Sequence, residues 1–169
     1  PLLEAARLLS REHQDLQFII PVAPGLDKAQ LETLAGNAAV AATLVDNGIY
    51  DVIDSADLVI VASGTASLET ALLAKPMVIV YRMSPLSYRI ARLLVKVHHI
   101  GMANIIAGKT VVPELIQEQA SGERIAAEAG RLLTDAGHYA AVRAELELIK
   151  KKLGEPGASE RAARIALSM

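Results

Sequence analysis

Short apolar runs that do not alternate recur along this chain: Leu16 to Val22, Val40 to Val45, Leu58 to Ala62, Met77 to Tyr81 and, more weakly, Val97 to Met102. A strand with one face in water would alternate apolar and polar residues, whereas these runs suit parallel strands covered on both faces. Between them the spacing turns helical, as in Leu2, Ala5, Ala6 and Leu9, or Leu68, Leu72 and Leu73. Strands alternating with helices build βαβ units, so the predicted fold class is α/β, a doubly wound, mostly parallel sheet.

The last third changes character. Ile125, Ala129 and Leu132, then Val142, Leu146, Ile149 and Leu153, then Ala162, Ile165, Ala166 and Met169 form helical stripes with no strand between them. The reading is a sheet region over 1–112 followed by a helical C-terminal region over 113–169, with three helices and a break at Gly154-Glu155-Pro156-Gly157. With 169 residues, of which 52% are apolar, the chain carries enough material for one core and too little for two. The first helix has no strand before it, although a doubly wound sheet usually opens with one. The chain therefore reads as a single domain, entered mid-helix, with a segment expected upstream.

Seventeen Lys and Arg against 19 Asp and Glu give a net charge of −2, without the global basicity of a nucleic-acid binder. Cysteine is absent, which removes disulfides and thiolate metal sites and fits a reducing compartment, so a cytoplasmic location is expected. The N-terminus lacks the basic-then-apolar pattern of a signal peptide. No apolar stretch reaches the roughly 18 residues of a membrane span. Buried strands and Ala-rich helices then account for the mean hydropathy of +0.33.

The segment richest in chemistry runs from Ala56 to Glu69: an apolar strand, the small-residue turn Ser63-Gly64-Thr65, and a helix start. Free backbone N–H groups and the positive end of the helix dipole favour a phosphate there, and a glycine lets the backbone come close. Ser63 and Thr65 can add hydroxyl donors, or one of them simply caps the helix. Both readings stand at this point. Glu69 lies four residues after Thr65 and six after Ser63, which misses the three-residue spacing of a capping box. Its carboxylate is free to accept from a ribose 2′,3′ diol, or it is a solvated helix glutamate.

Competing motifs are missing. There is no G-x-G-x-x-G after a strand and no G-x-x-x-x-G-K-[ST]. Ser63 occupies a strand-to-helix turn, but the glycine that precedes a hydrolase nucleophile at x-S-x is not there. No Asp-x-Asp pair exists to hold a divalent ion, and Asp51, Asp54 and Asp57 read as exposed caps and turn residues. His98 and His99, as neighbours in a strand, would point to opposite faces and share no metal. His13 and His138 read as surface residues, so no metal site is expected.

Tyr81-Arg82-Met83-Ser84-Pro85 ends an apolar strand, and ligands of open α/β sheets bind at the carboxyl ends of strands, so Arg82 is placed to face one. The helix after it carries Arg89, Arg92 and Lys96 on one side and Leu86, Ile90, Leu93 and Val97 on another. That pattern serves an anionic membrane surface, or an ordinary helix with a solvated basic face. Asn104, in Gly101-Met102-Ala103-Asn104-Ile105-Ile106-Ala107-Gly108, is either a ligand residue at the sheet's edge or a turn asparagine.

Taken together, Ala62 to Glu69, Tyr81 to Pro85, Asn104-Ile105-Ile106-Ala107-Gly108 and Pro113-Glu114-Leu115-Ile116-Gln117-Glu118 closely resemble the lipid-A-disaccharide synthases, over nearly the whole chain. The Ser-Gly-Thr turn with its later glutamate is shared by many two-domain GT-B glycosyltransferases and related epimerases; the order of all four segments is more specific. The resemblance implies a GT-B C-terminal, Rossmann-like domain. It implies transfer of acylated glucosamine from a UDP donor to acylated glucosamine 1-phosphate, forming the lipid A disaccharide of Gram-negative bacteria with no metal and no cofactor. Ser63, Gly64 and Thr65 would hold the diphosphate and Glu69 the ribose, while Arg82 and Asn104 would serve catalysis near the donor. Peripheral contact with the inner face of the inner membrane through Arg89, Arg92 and Lys96 would follow, and a homo-oligomer is left open.

Two departures accompany the resemblance. Ala103 stands where the family commonly has proline, and the family's N-terminal acceptor domain, with its base, is absent together with the strand and glycine-serine-arginine loop that open this domain. The isolated chain is therefore expected to bind UDP without turnover. Alternatives of other kinds are half of a UDP-sugar 2-epimerase and a non-catalytic UDP-binding module.

Overall fold

The computed structural model describes residues 1–94, 98–154 and 157–168. Helix α1 (Leu2–Glu12) leads into strand β1 (Phe18–Val22), and α2 (Lys28–Asn37) into β2 (Ala42–Asp46). Then α3 (Ile49–Ser55), β3 (Val59–Ala62), α4 (Thr65–Leu72) and β4 (Met77–Tyr81) follow in strict alternation. Next come α5 (Pro85–Leu94), α6 (Met102–Ala107), β5 (Glu114–Ile116), one 3-10 turn (Gln117–Gln119), and α7 (Gly122–Thr134), α8 (Ala136–Leu153) and α9 (Ala158–Leu167).

All strand pairing is parallel, as the unalternating runs require, and it falls into two sheets. One joins β1 to β2; the other has the order β3-β4-β5. Among the described residues, β1 and β3 each pair on one side only. Strand β4 has neighbours on both sides, and Met77, Val78 and Ile79 are wholly buried there. A run without a single polar residue is what a strand in that position needs.

The weak run from Val97 to Met102 is not a strand. Val97 lies outside the described residues, His98 to Gly101 form an irregular strap, and Met102 opens α6. The third place in the sheet is taken by Glu114–Ile116, whose partners on β4 are Ile79, Val80 and Tyr81. Three residues are too few to show a period, and the two polar ends of Glu114-Leu115-Ile116-Gln117 hide the strand in the sequence. Consequently His98 and His99 do not face away from each other across a sheet: His98 is exposed, and His99 turns toward Glu114.

The three C-terminal helices form where their stripes place them; the stripes of α7 and α8 are buried apart from Leu153, whereas Ala162, Ile165 and Ala166 of α9 are exposed and Met169 lies outside the described residues. Ser121 and Asp135 accept the backbone N–H of Arg124 and His138 and so start α7 and α8, satisfying donors that a helix's first turn leaves open. Helix α7 lies against α1 and β4, while α8 lies against α4, α6 and α7. Ile125, Ala129, Leu132, Val142, Leu146 and Ile149 thereby close over β4 in one continuous core. That core backs the carboxyl edge of β3 and β4, where the candidate residues gather.

Candidate functional site

Strand β3 ends at Ala62, opposite Val80 of β4. The Ser63 N–H continues the ladder by donating to the Val80 carbonyl at 3.0 Å, and the chain then breaks away at Gly64. Gly64 has φ 148° and ψ −158°, a conformation essentially confined to glycine. An added Cβ would meet nothing within 4 Å, so the requirement for glycine is one of backbone angle, not of space. Helix α4 starts at Thr65 with no side-chain cap. Neither hydroxyl of the turn does the capping: Thr65 is exposed, and the Ser63 hydroxyl donates to the Ile100 carbonyl at 2.9 Å. Ser67, buried, folds back onto the Gly64 carbonyl at 2.7 Å. The turn thus presents a helix N-terminus that no side chain caps, with the Ser63 hydroxyl turned to Ile100.

Glu69 lies on the second turn of α4, half-buried, and its Oε1 accepts from the Tyr50 hydroxyl at 3.3 Å. Tyr50 belongs to α3, and its side chain is largely in solvent. Nothing in its sequence neighbourhood marks it, because the pairing joins two helices 19 residues apart in the chain.

One residue beyond the β3–β4 register, Tyr81-Arg82 emerges beside Ser63-Gly64. Arg82 is exposed and makes no ion pair among the described residues. The backbone after it is clamped: Gln117 Oε1 accepts the Met83 N–H at 2.7 Å, and Gln117 Nε2 donates to the Met83 carbonyl at 3.1 Å. Gln117 is buried and takes a positive φ of 54°, a conformation uncommon for a side-chain-bearing residue.

Asn104 sits elsewhere. It is wholly buried in α6, and its amide is fully engaged: Nδ2 donates to the Val112 carbonyl at 2.8 Å and to Glu114 Oε1 at 2.7 Å. Its Oδ1 accepts from Val111 N at 2.7 Å and Val112 N at 3.0 Å. A primary amide has two N–H donors and two lone pairs, all used here, so the geometry gives Asn104 an organising part and leaves it no group to offer a ligand. Ala103, where a proline is common, is also wholly buried. The four bonds hold Asn104 in place without that ring.

Of the basic helix, Arg89 is exposed on α5, while Lys96 and the side chain of Arg92 lie outside the described residues. Among the described residues no group of His, Asp or Glu could hold a metal ion, and no helix is long and apolar enough to cross a membrane. Asp54 pairs with Lys75 at 3.4 Å, and His138 contacts Arg131 at 3.1 Å.

Parallel strands, flanking helices and an uncapped strand-glycine-helix turn at the carboxyl edge define a Rossmann-like α/β domain. The chain belongs to the lipid-A-disaccharide synthetase family, which it matches over residues 1–169. It is 45% identical over 168 residues to the lipid-A-disaccharide synthase of Geobacter sulfurreducens, covering 99% of this chain and 44% of that protein. It is 47% identical over 170 residues to the synthase of Anaeromyxobacter dehalogenans, covering 100% and 44%. For that of Syntrophus aciditrophicus the identity is 45% over 169 residues, covering 99% and 44%. The chain therefore spans less than half the length of the curated relatives it matches, and neither the epimerase nor the binding-only alternative finds support among them.

Proposed function

We propose that this chain is the donor-binding domain of a glycosyltransferase that moves acylated glucosamine from UDP to acylated glucosamine 1-phosphate, giving the lipid A disaccharide. The observation that carries this reading is the open N-terminus of α4 at Gly64-Thr65, with Arg82 just past the carboxyl end of the neighbouring strand and Glu69 one turn into the helix. Backbone N–H groups and the helix dipole at that turn suit a diphosphate. They suit it more strongly as the sugar leaves, because negative charge then builds on UDP, and fixed dipoles need no reorganisation to meet it. Arg82 adds a mobile positive charge. Glu69 accepts from the ribose hydroxyls, and Asn104 acts by holding the segment from Val111 to Glu114.

The acceptor site and the general base are assigned to the part of the longer protein that relatives possess beyond this 44%. The name carried by the relatives implies a lipid-bearing substrate, and the exposed Arg89 on α5 gives an anionic membrane surface a point of contact.

The test uses the full gene product and this chain side by side, with both lipid substrates and with UDP alone. The expected result is disaccharide from the full product, none from the isolated chain, and UDP binding by both. Disaccharide formed by the isolated chain would refute the division of labour, and absence of UDP binding in both would refute the donor site.

A further inference from the structure

Glu114 is a carboxylate whose side chain is only 8% exposed, on the short strand β5, and the donor reading above gives its charge no role. A buried charge is costly unless hydrogen bonds replace its water, and here they do. The carboxylate accepts the Ile100 N–H at 2.8 Å, the Gly101 N–H at 3.1 Å and the Asn104 amide at 2.7 Å, with His99 Nδ1 at 3.8 Å. Two consecutive amides bound by one carboxylate fix both peptide planes of the strap. Gly101 is pressed so close that a Cβ would lie 2.3 Å from Ile79 Cδ1 and 3.1 Å from Glu114 Oε1.

The peptide between Ile100 and Gly101 is held from both sides. Its N–H donates to Glu114, and its carbonyl accepts from the Ser63 hydroxyl at 2.9 Å. A chain of hydrogen bonds through a single peptide unit polarises along its length, so the negative charge of Glu114 strengthens the carbonyl as an acceptor and draws the Ser63 proton inward. We propose that Glu114 is a positioning residue for the donor turn: through the Ile100–Gly101 peptide it commits the Ser63 hydroxyl to the protein and so fixes the turn whose backbone N–H groups meet a diphosphate.

This rests on the donor-site reading, and the experiment separates the two. In the full gene product, UDP affinity and the donor and acceptor KM are measured for Ser63→Ala, Glu114→Gln, the double variant and Glu69→Ala. Each of the first two is expected to weaken UDP by about tenfold, because the N–H groups of the turn lose the anchor that orients them, and to raise donor KM while leaving acceptor KM unchanged. The double variant is expected to be no weaker than the worse single one, since both cut the same chain. Losses that multiply, or a folded Glu114→Gln protein with unaltered UDP affinity, would overturn the proposal. If Glu69→Ala leaves UDP affinity unchanged, it is the donor-site reading that fails. Should Glu114→Gln not fold, hydrogen exchange decides: the Ile100 and Gly101 amides are expected to exchange slowly in the unmodified protein and faster in Ser63→Ala. Rapid exchange in the unmodified protein, or equal protection in Ser63→Ala, would overturn the proposal.

Discussion

The Tyr50 hydroxyl reaches Glu69 Oε1 at 3.3 Å, tying the first turn of α3 to the second turn of α4 across the mouth of the β3 edge. The bond occupies one oxygen of the carboxylate, and among the described residues the other oxygen has no hydrogen-bond partner. Glu69→Ala is expected to weaken UDP by about 1–3 kcal/mol, the cost of leaving hydrogen-bonding groups without a partner. Tyr50→Phe keeps the ring and is expected to lose less. The decisive comparison is calorimetric titration with 2′,3′-dideoxy-UDP, for which the Glu69→Ala penalty should vanish. A penalty of equal size for both ligands would take the ribose away from Glu69.

Gly64→Ala isolates the backbone of the turn. With no atom within 4 Å of the added methyl, steric clash is excluded and only the dihedral angles, φ 148° and ψ −158°, oppose the change. The expected destabilisation is about 1–3 kcal/mol if the turn is kept. If instead the turn relaxes, stability recovers and UDP affinity falls. Urea unfolding alongside UDP titration reads both, and a variant unaltered in each would show that the glycine conformation is dispensable.

The strands on either side of this turn were legible because burial on both faces writes itself as a run of apolar residues, and Met77 to Tyr81 was delimited to the residue. The turn between strand and helix was legible from its small residues, but whether Ser63 or Thr65 capped the helix was not, and only the Ser63 bond to Ile100 and the uncapped start of α4 decide it. What escaped is long-range and polar. Glu114, Gln117 and Tyr50 find their partners 13, 34 and 19 residues away, and no local pattern marks such pairs. Asn104 was found by its place at the sheet's edge, but that place says nothing of whether the amide faces outward. Only the bonds to Val111, Val112 and Glu114 do.

Asn104→Asp tests that inward-facing role. It replaces the Nδ2 donor by an oxygen facing the Val112 carbonyl and Glu114 Oε1, two acceptors already within 2.8 Å. Acceptor against acceptor in a buried site destabilises more than simple removal, so Asn104→Asp is expected to be worse than Asn104→Ala. For Asn104→Ala, which strands the Val111 and Val112 N–H groups, the loss is about 1–3 kcal/mol for each group left unpaired. Thermal unfolding orders the three proteins. An Asp variant as stable as the parent would mean that Asn104 is solvated and available to a ligand after all.

The strap at Gly101 is tight in a way that can be relieved from the opposite side. Gly101→Ala places a methyl 2.3 Å from Ile79 Cδ1, so the end of that side chain, wholly buried in the middle of β4, must shift within the core. Overpacking of this kind costs about 1–3 kcal/mol. Ile79→Val removes the offending Cδ1 at a cost of about 0.5–1.5 kcal/mol on its own. In the double variant the new methyl fills the space that Cδ1 vacates, so the two losses should partly cancel instead of adding, although the 3.1 Å approach to Glu114 Oε1 remains. Denaturant unfolding of the four proteins measures the coupling. If the double variant shows the plain sum of the two losses, Gly101 is constrained by its backbone, not by the close packing of the strap on β4.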